Sequence, residues 1–232
     1  MISKNEMKQI RSLSQKKFRD GTGLFVVEGE KMVEEALRSG FEVVKVYREE
    51  EIGSEAMSRI TLLTSPSPAL AIVRKREVKS EMDGLILALD ALRDPGNVGT
   101  ILRIADWFGI RTILASHDTV DIYNPKVVQA TMGAIFRVNV KYCDLPAELR
   151  KASSEGIQIF GTFLEGENIY RTQLPGSGII VMGSESFGIS PAVAECVTKK
   201  LTIPSFAGEG PTSESLNVAI ATAIVCNEFR RK

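Results

Sequence analysis

From residue 84 onward, apolar residues fall in short unbroken runs separated by stretches of helical spacing. Leu85-Ile-Leu-Ala-Leu is such a run, the pattern of a strand buried on both faces of a parallel sheet. The same reading predicts strands at 111–115, 138–142, 157–162, 179–183 and 200–203. Between them it predicts helices at 97–108, 124–135, 145–155, 190–197 and 213–230. Regular alternation of the two predicts a doubly wound α/β domain over 81–232.

The first 80 residues read differently. Residues 3–19 predict a basic, partly amphipathic helix anchored by Ile10, Leu13 and Phe18 and broken by Gly21 and Gly23. Leu24-Phe-Val-Val predicts a strand, and Glu30 to Arg38 a helix with Gly40 as its C-cap. Residues 42–47 alternate like a half-buried strand. A helix at 54–59, a strand at 60–63 and a helix from Pro68 to Lys75 complete this α/β unit. Its length of about 75 residues is within the range that folds alone. The charged run Arg74–Asp83 marks the end of this first unit, which gives domains at 1–80 and 81–232.

Composition narrows the classes. The chain has 232 residues, with 29 Lys and Arg balanced by 29 Asp and Glu. Neutral charge argues against tight non-specific binding to nucleic acid, while local basic surfaces stay possible. Candidates are Lys4, Lys8, Arg11, Lys16, Lys17 and Arg19, then Arg74, Lys75, Arg76 and Lys79, then Arg230-Arg231-Lys232. Each also reads as an ordinary solvated face. The three cysteines, Cys143, Cys196 and Cys226, have no ligand spacing. Neither a disulfide framework nor structural zinc is expected. No signal-peptide pattern or membrane-length apolar run is present, so a cytoplasmic protein is expected.

Three strand ends carry glycine-containing loops with polar residues. The first is Asp94-Pro-Gly-Asn97, followed by a helix from about Val98 with Arg103 off its apolar face. Helical side chains lean toward the N-terminus, which directs Arg103 over Gly99 and Thr100 toward the Asn97 turn. The bland alternative is a capping Asn and a surface Arg paired with Asp106. The second is Met182-Gly-Ser-Glu-Ser-Phe-Gly-Ile-Ser-Pro, with Glu185 between Gly183 and Gly188, and Ser190 and Pro191 opening a helix. The third runs from Ile203 through Gly208, Gly210 and Pro211 to a long helix opened by Thr212, Ser213 and Ser215, with Asn217 polar in an apolar segment. Serine caps and a satisfied buried amide are its bland readings. Neither GxGxxG nor a P-loop is present, which leaves little support for a nucleotide-dependent enzyme of doubly wound type.

Together the three loops resemble the signature of the SpoU/TrmH branch of the SPOUT RNA methyltransferases. The resemblance covers residues 84–232, including Tyr123-Asn-Pro-Lys-Val-Val-Gln-Ala-Thr-Met-Gly-Ala-Ile-Phe. More loosely, residues 1–80 resemble a ribosomal-protein-like substrate-binding domain, through Ser3-Lys-Asn, Ile10-Arg-Ser-Leu, Lys17-Phe-Arg and Phe25-Val-Val-Glu-Gly.

The resemblance implies a trefoil-knotted C-terminal domain, a homodimer, no metal, and methyl transfer from S-adenosyl-L-methionine to a ribose 2′-hydroxyl of structured RNA, with ribosomal RNA favoured over transfer RNA. It implies cofactor contacts from Thr162, Leu164, Gly183, Ile203, Ser215 and Leu216. It makes Asn97, Arg103, Glu185, Ser215 and Asn217 the catalytic set. Arg103 serves either as general base or, because a guanidinium keeps its proton above about pH 12, as a fixed charge. Asn97 orients Arg103 or the ribose. Ser215 and Asn217 hold a phosphate and the loops, and Glu185 orders its loop and contacts Arg103 or an arginine of the other subunit. Ser186 and the long segment 206–213 with Glu209 depart from the family pattern. The alternative is a non-catalytic RNA-binding or ribosome-assembly protein of the same fold.

Overall fold

The computed structural model describes residues 2–76, 82–207 and 214–231, and the chain divides into two compact units. The boundary expected at 80/81 and Lys79 lie outside the described residues.

The first unit takes Met1–Glu77 and, from further along the chain, Asp121–Arg137. Helix α1 (Lys4–Ser12) opens with a capping box: Ser3 Oγ accepts from the Glu6 N–H and the Glu6 carboxylate accepts from the Ser3 N–H. The single helix expected over 3–19 is two. α1 ends at Ser12, and α2 (Lys16–Thr22) ends at Gly23, whose φ of 66° is left-handed. The break is held by Arg19, buried at 2% exposure. Its guanidinium donates to the carbonyls of Leu13 and Ser14 at 2.9 and 2.8 Å and pairs with Asp121 at 2.7 Å. The carbonyls freed at the helix end thus gain a charged donor.

Strands β1 (Leu24–Glu28), β2 (Val43–Arg48) and β3 (Ala69–Arg74) form an antiparallel sheet in the order β1-β3-β2. The segment expected to be a helix from Pro68 to Lys75 is therefore the central strand. Ala69, Leu70, Ala71 and Val73 are buried there, so no polar alternation marks it as a strand. Helices α3 (Glu30–Arg38), α4 (Glu49–Ile52) and α5 (Ser54–Ile60) complete residues 2–76. The strand expected at 60–63 is absent. Ile60 ends α5, and the buried Glu28 carboxylate accepts from Thr61 Oγ1 and the Leu62 N–H at 2.6 and 2.7 Å in place of a strand partner. Burial pushes the Glu28 carboxyl above its usual range, with these two bonds opposing. The expected helix over 124–135 shortens to Pro125–Thr131, followed by a 3₁₀ turn at Ala134–Phe136. Left-handed Met132 and Gly133 separate the two. Tyr123 lies 4.6 Å from Phe25 between ring centroids, Phe136 lies 5.2 Å from Phe41, and Arg137 pairs with Glu35.

The second unit holds a six-stranded sheet, parallel throughout. Its strands are β4 (Leu85–Asp90), β5 (Thr112–Ser116), β6 (Asn139–Cys143), β7 (Ile159–Asn168), β8 (Gly178–Gly183) and β9 (Lys199–Thr202), ordered β6-β5-β4-β8-β7-β9. β4 is buried at all six positions, as its apolar run requires. Ile86, Ala88, Leu114, Ile159, Ile179 and Val181 share a core with Leu145 and Leu149 of α8 (Leu145–Ser154). β7 is longer than expected, and its register on β9 steps from Thr162↔Leu201 to Glu167↔Leu201, leaving residues 163–166 outside the ladder. The order reverses direction across β4: the chain builds β5 and β6 on one side, then β7, β8 and β9 on the other. Ligands of parallel sheets collect at the carboxyl ends beside such a switch.

Candidate active site

Helix α6 (Pro95–Trp107) begins two residues before its expected start, with Pro95 at its first position and Asp94 as cap. Asp94 Oδ1 accepts from the Asn97 N–H at 2.7 Å, so Asn97 sits in the first turn of the helix. Helix α10 (Val218–Arg230) begins later than expected. Asn217 is its cap, with Oδ1 accepting from the N–H groups of Ala219 and Ile220. Ser215 precedes the helix rather than opening it, and Gly208, Gly210, Pro211, Thr212, Ser213 and Glu209 lie outside the described residues.

These caps fix a polar chain. Asn217 Oδ1 is committed to two backbone donors, so its Nδ2 is the atom left to donate. It donates to Asn97 Oδ1 at 2.9 Å. Asn97 Nδ2 in turn donates to the Glu185 carboxylate. The amide orientations follow from this order of donors and acceptors. Within this chain Glu185 meets Asn97; Arg103, or an arginine of the other subunit, was the partner expected. Two side-chain hydrogen bonds thus link the three segments after β4, after β8 and before α10.

The loop after β8 is closed tightly. Ser184 and Gly188 exchange N–H to carbonyl bonds of 3.0 and 2.8 Å, and Ser184 Oγ accepts from the Phe187 N–H. A Cβ at Gly183 would overlap the Gly188 carbonyl carbon and the Ile189 nitrogen, so the path needs glycine. Asp90, buried at the end of β4, accepts from the Ser190 N–H at 2.7 Å and ties the loop's far end to the next strand. Ser190 stands at the start of α9 (Pro191–Ala194) without capping through its side chain, and the helix expected over 190–197 is this single short turn. Asp90 received no role from its sequence position. An acidic residue ending an apolar strand was its only signal.

The carboxyl ends of β7, β8 and β9 and the start of α10 surround a cleft of about 1250 Å³. Thr162, Leu164, Gly183, Glu185, Ile203, Ser215 and Leu216 all line it. Its buried lining is apolar, with Met182, Leu201, Ile169 and Val225 at 1% exposure or less. Among the described residues, Glu165, Glu185 and Glu214 put three carboxylates on it against the single cation Lys200. Thr162 Oγ1 donates to the Val181 carbonyl, and Thr202 Oγ1 to that of Leu164, which steadies the segment outside the β7 ladder.

Asn97 and Asn217 do not line the cleft but are bonded to Glu185, which does. Arg103 is exposed on α6, is not among the lining residues, and has no hydrogen bond or ion pair among the described residues. Among the described residues, no group of three or more His, Cys, Asp or Glu is placed to hold a metal ion, and no helix is long and apolar enough to cross a membrane.

Residues 84–227 match the family model of the SpoU rRNA methylase family, and residues 4–79 match that of an MRM3-like substrate binding domain. Over 98% of its length the chain is 30% identical to the 23S rRNA (guanosine(2553)-2′-O)-methyltransferase RlmP of Bacillus subtilis, covering 97% of that protein. A solved structure of a putative RNA methyltransferase of the TrmH family from Porphyromonas gingivalis is 40% identical, with a TM-score of 0.91 over 99% of this chain and 98% of that one. The AdoMet-bound rRNA methyltransferase of Sinorhizobium meliloti is 29% identical, with a TM-score of 0.86 over 99% and 96%.

Proposed function

We propose, from the premise that this chain belongs to the SpoU rRNA methylase family, that it transfers the methyl group of S-adenosyl-L-methionine to a ribose 2′-hydroxyl of ribosomal RNA. The observation that carries the reading is the Asn217–Asn97–Glu185 chain at the edge of the cleft. It joins segments 88 and 120 residues apart, which a site degenerating into a plain RNA-binding surface has no reason to keep. Two relatives matched over nearly their whole length, from Bacillus subtilis and Sinorhizobium meliloti, are named as rRNA methyltransferases, and the second is AdoMet-bound.

The cleft fits the cofactor by its chemistry. An apolar interior suits an adenosyl group, and three carboxylates against one lysine suit a donor carrying positive charge. Thr162, Leu164, Gly183, Ile203, Ser215 and Leu216 would hold it. When bound, it supplies a methyl group already activated on a sulfonium.

What remains for the protein is alignment and management of one proton. A ribose hydroxyl is a weak nucleophile, and negative charge grows on its oxygen as its proton passes to solvent water while the methyl bond forms and the methyl–sulfur bond breaks. A guanidinium is a planar, permanently cationic group, so Arg103 serves as a fixed positive charge for that oxygen and for the adjoining phosphate. Its lack of any partner among the described residues leaves the guanidinium available to RNA. Asn97 orients the ribose, and Glu185 fixes Asn97. Asn217 transmits the position of α10 to both, and Ser215 completes the phosphate contact.

Residues 1–80 are the RNA-holding domain in this reading, supported by the substrate-binding family match over 4–79. Residues 81–232 form the catalytic domain. A homodimer is part of the reading. Trp107 at the end of α6, Ile220 of α10 and Leu216 before it are 86%, 54% and 49% exposed, apolar surface that a second copy covers. A trefoil passage of the C-terminal segment is likewise part of the reading, carried by the family membership. Ribosomal RNA as substrate brings with it a cytoplasmic place of work.

The test is single-turnover transfer from radiolabelled S-adenosyl-L-methionine to unmodified 23S rRNA transcript, with calorimetric titration of the cofactor alongside. Label retained at a ribose 2′-oxygen is expected. Cofactor binding without transfer to any ribosomal RNA defeats the substrate assignment. No binding and no transfer leaves the non-catalytic alternative standing.

A further inference from the structure

Phe187 is 87% exposed, an unusual state for a phenylalanine on a closed loop. Burying such a ring is favourable, and a mobile loop would fold it inward. This loop is held open instead. Ser184 and Gly188 are paired through their backbones, the Phe187 N–H is bonded to Ser184 Oγ, and Glu185 is tied to Asn97. Gly183 leaves no space for the entry to shift. The same cleft carries a second ring of equal exposure, Phe206 after β9, with Tyr170 6.5 Å from it.

We infer that Phe187 is a stacking platform for a nucleobase of the RNA substrate, next to the ribose that is methylated. The inference rests on the methyltransferase reading and names the residue by which the same site takes hold of a base. Exposure decides between the possible occupants. The interior of the cleft is buried, while Phe187 and Phe206 keep almost all of their surface outside it. A small molecule seated inside leaves those rings in water. A polymer that arches over the rim covers them. The cleft volume of about 1250 Å³ also exceeds the roughly 300–1,000 Å³ of single-ligand pockets, leaving space for part of a second substrate. Every base has a π-face, so one rigid ring at the rim steadies a splayed-out nucleotide whatever its identity.

The experiment compares wild type with Phe187→Ala, Phe187→Leu and Phe187→Trp on 23S rRNA transcript. It measures Kd and KM for the RNA, Kd for S-adenosyl-L-methionine by calorimetry, and mass by sedimentation. Phe187→Ala and Phe187→Leu are expected to weaken RNA binding roughly tenfold to a hundredfold, the range of one lost base stack. Phe187→Trp is expected to retain it, with cofactor affinity and mass unchanged throughout. The ring touches no core, so circular dichroism stays that of wild type. Unchanged RNA binding in Phe187→Ala overturns the inference. An equal loss of cofactor affinity reassigns the ring to the cofactor, and a change in mass reassigns it to an interface between copies. Full activity in Phe187→Leu shows that apolar contact suffices without stacking. A wild-type protein that neither binds nor methylates the transcript sinks the parent reading itself, a result seen before any variant is compared.

Discussion

The side chain of Asn217 donates a 2.9 Å hydrogen bond to Asn97 Oδ1 across 120 residues of chain. The same amide caps α10 through its oxygen. One residue therefore sets both the start of the last helix and the position of a residue in the first turn of α6, and through Asn97 it sets Glu185. Separating the two roles is a matter of choosing the substitution.

Asn217→Asp keeps the capping acceptor and adds a charge that the helix N-terminus favours. It removes the donor to Asn97 and sets a second carboxylate near Glu185. Stability is expected to stay within about 1 kcal/mol of wild type, while kcat/KM falls at least tenfold, a loss of about 1.4 kcal/mol in transition-state binding. Asn217→Ala loses both roles and melts lower. Thermal melts beside single-turnover rates check this; equal losses of stability in the two variants contradict it.

Arg103 is exposed and unpartnered among the described residues, so Arg103→Ala is expected to leave melting and cofactor titration unchanged. Transfer is expected to fall by a factor of about 100 or more, the scale of losing one preorganised charge at a developing oxyanion. Arg103→Lys restores little, because an ammonium cannot reproduce a forked contact. Wild-type rates in Arg103→Ala would remove the residue from the mechanism.

Arg19 and Asp121 form a buried pair within the first unit, 2% and 11% exposed at their side chains. Arg19→Ala strands the carboxylate and two carbonyls and is expected to cost roughly 3–5 kcal/mol. Replacing both partners by apolar residues of similar size, Arg19→Met with Asp121→Leu, is expected to cost less than the single change. Chemical denaturation, with hydrogen exchange read at residues 13–23, measures the difference.

Glu6 gives an acid limit to the attachment of α1. Its hydrogen bond with Lys45, then its bonds with Ser3, hold the carboxyl down to about 2 from an ordinary 4.5. A folded-state value below the unfolded one means the contribution is present above about pH 4.5 and is lost as pH falls toward 2. Amide exchange in α1 is expected to accelerate over that window, and Glu6→Gln to flatten the dependence. An identical profile in the variant rules out this source.

Local pattern carried the sheet of the second unit well, with apolar runs marking β4, β5, β6 and β8. The residues that line the cleft came from the family resemblance and not from periodicity. Pattern failed where burial erases alternation, as in the Ala-Leu-Ala-Ile-Val of β3, and where a distant side chain ends a helix, as Arg19 does at Leu13 and Ser14. It also gave no warning that Asp121–Arg137 belongs to the first unit. Tyr123 and Phe136 read as ordinary apolar residues until Phe25 and Phe41 are placed beside them.

What the chain's own order of residues determined was the set of elements and the chemistry available at their ends. Glycine where no Cβ fits at 183, a cap at Asp94 and carboxamides at 97 and 217 are local requirements that local sequence can meet. Strand order, the partner of Glu185, the exposure of Phe187 and the residues that bury Arg19 were decided only in three dimensions. The physical reason is that periodicity encodes how much of a segment is hidden from water. It does not encode which distant segment hides it, and hydrogen bonds spanning 88 to 120 residues exist only once that choice is made.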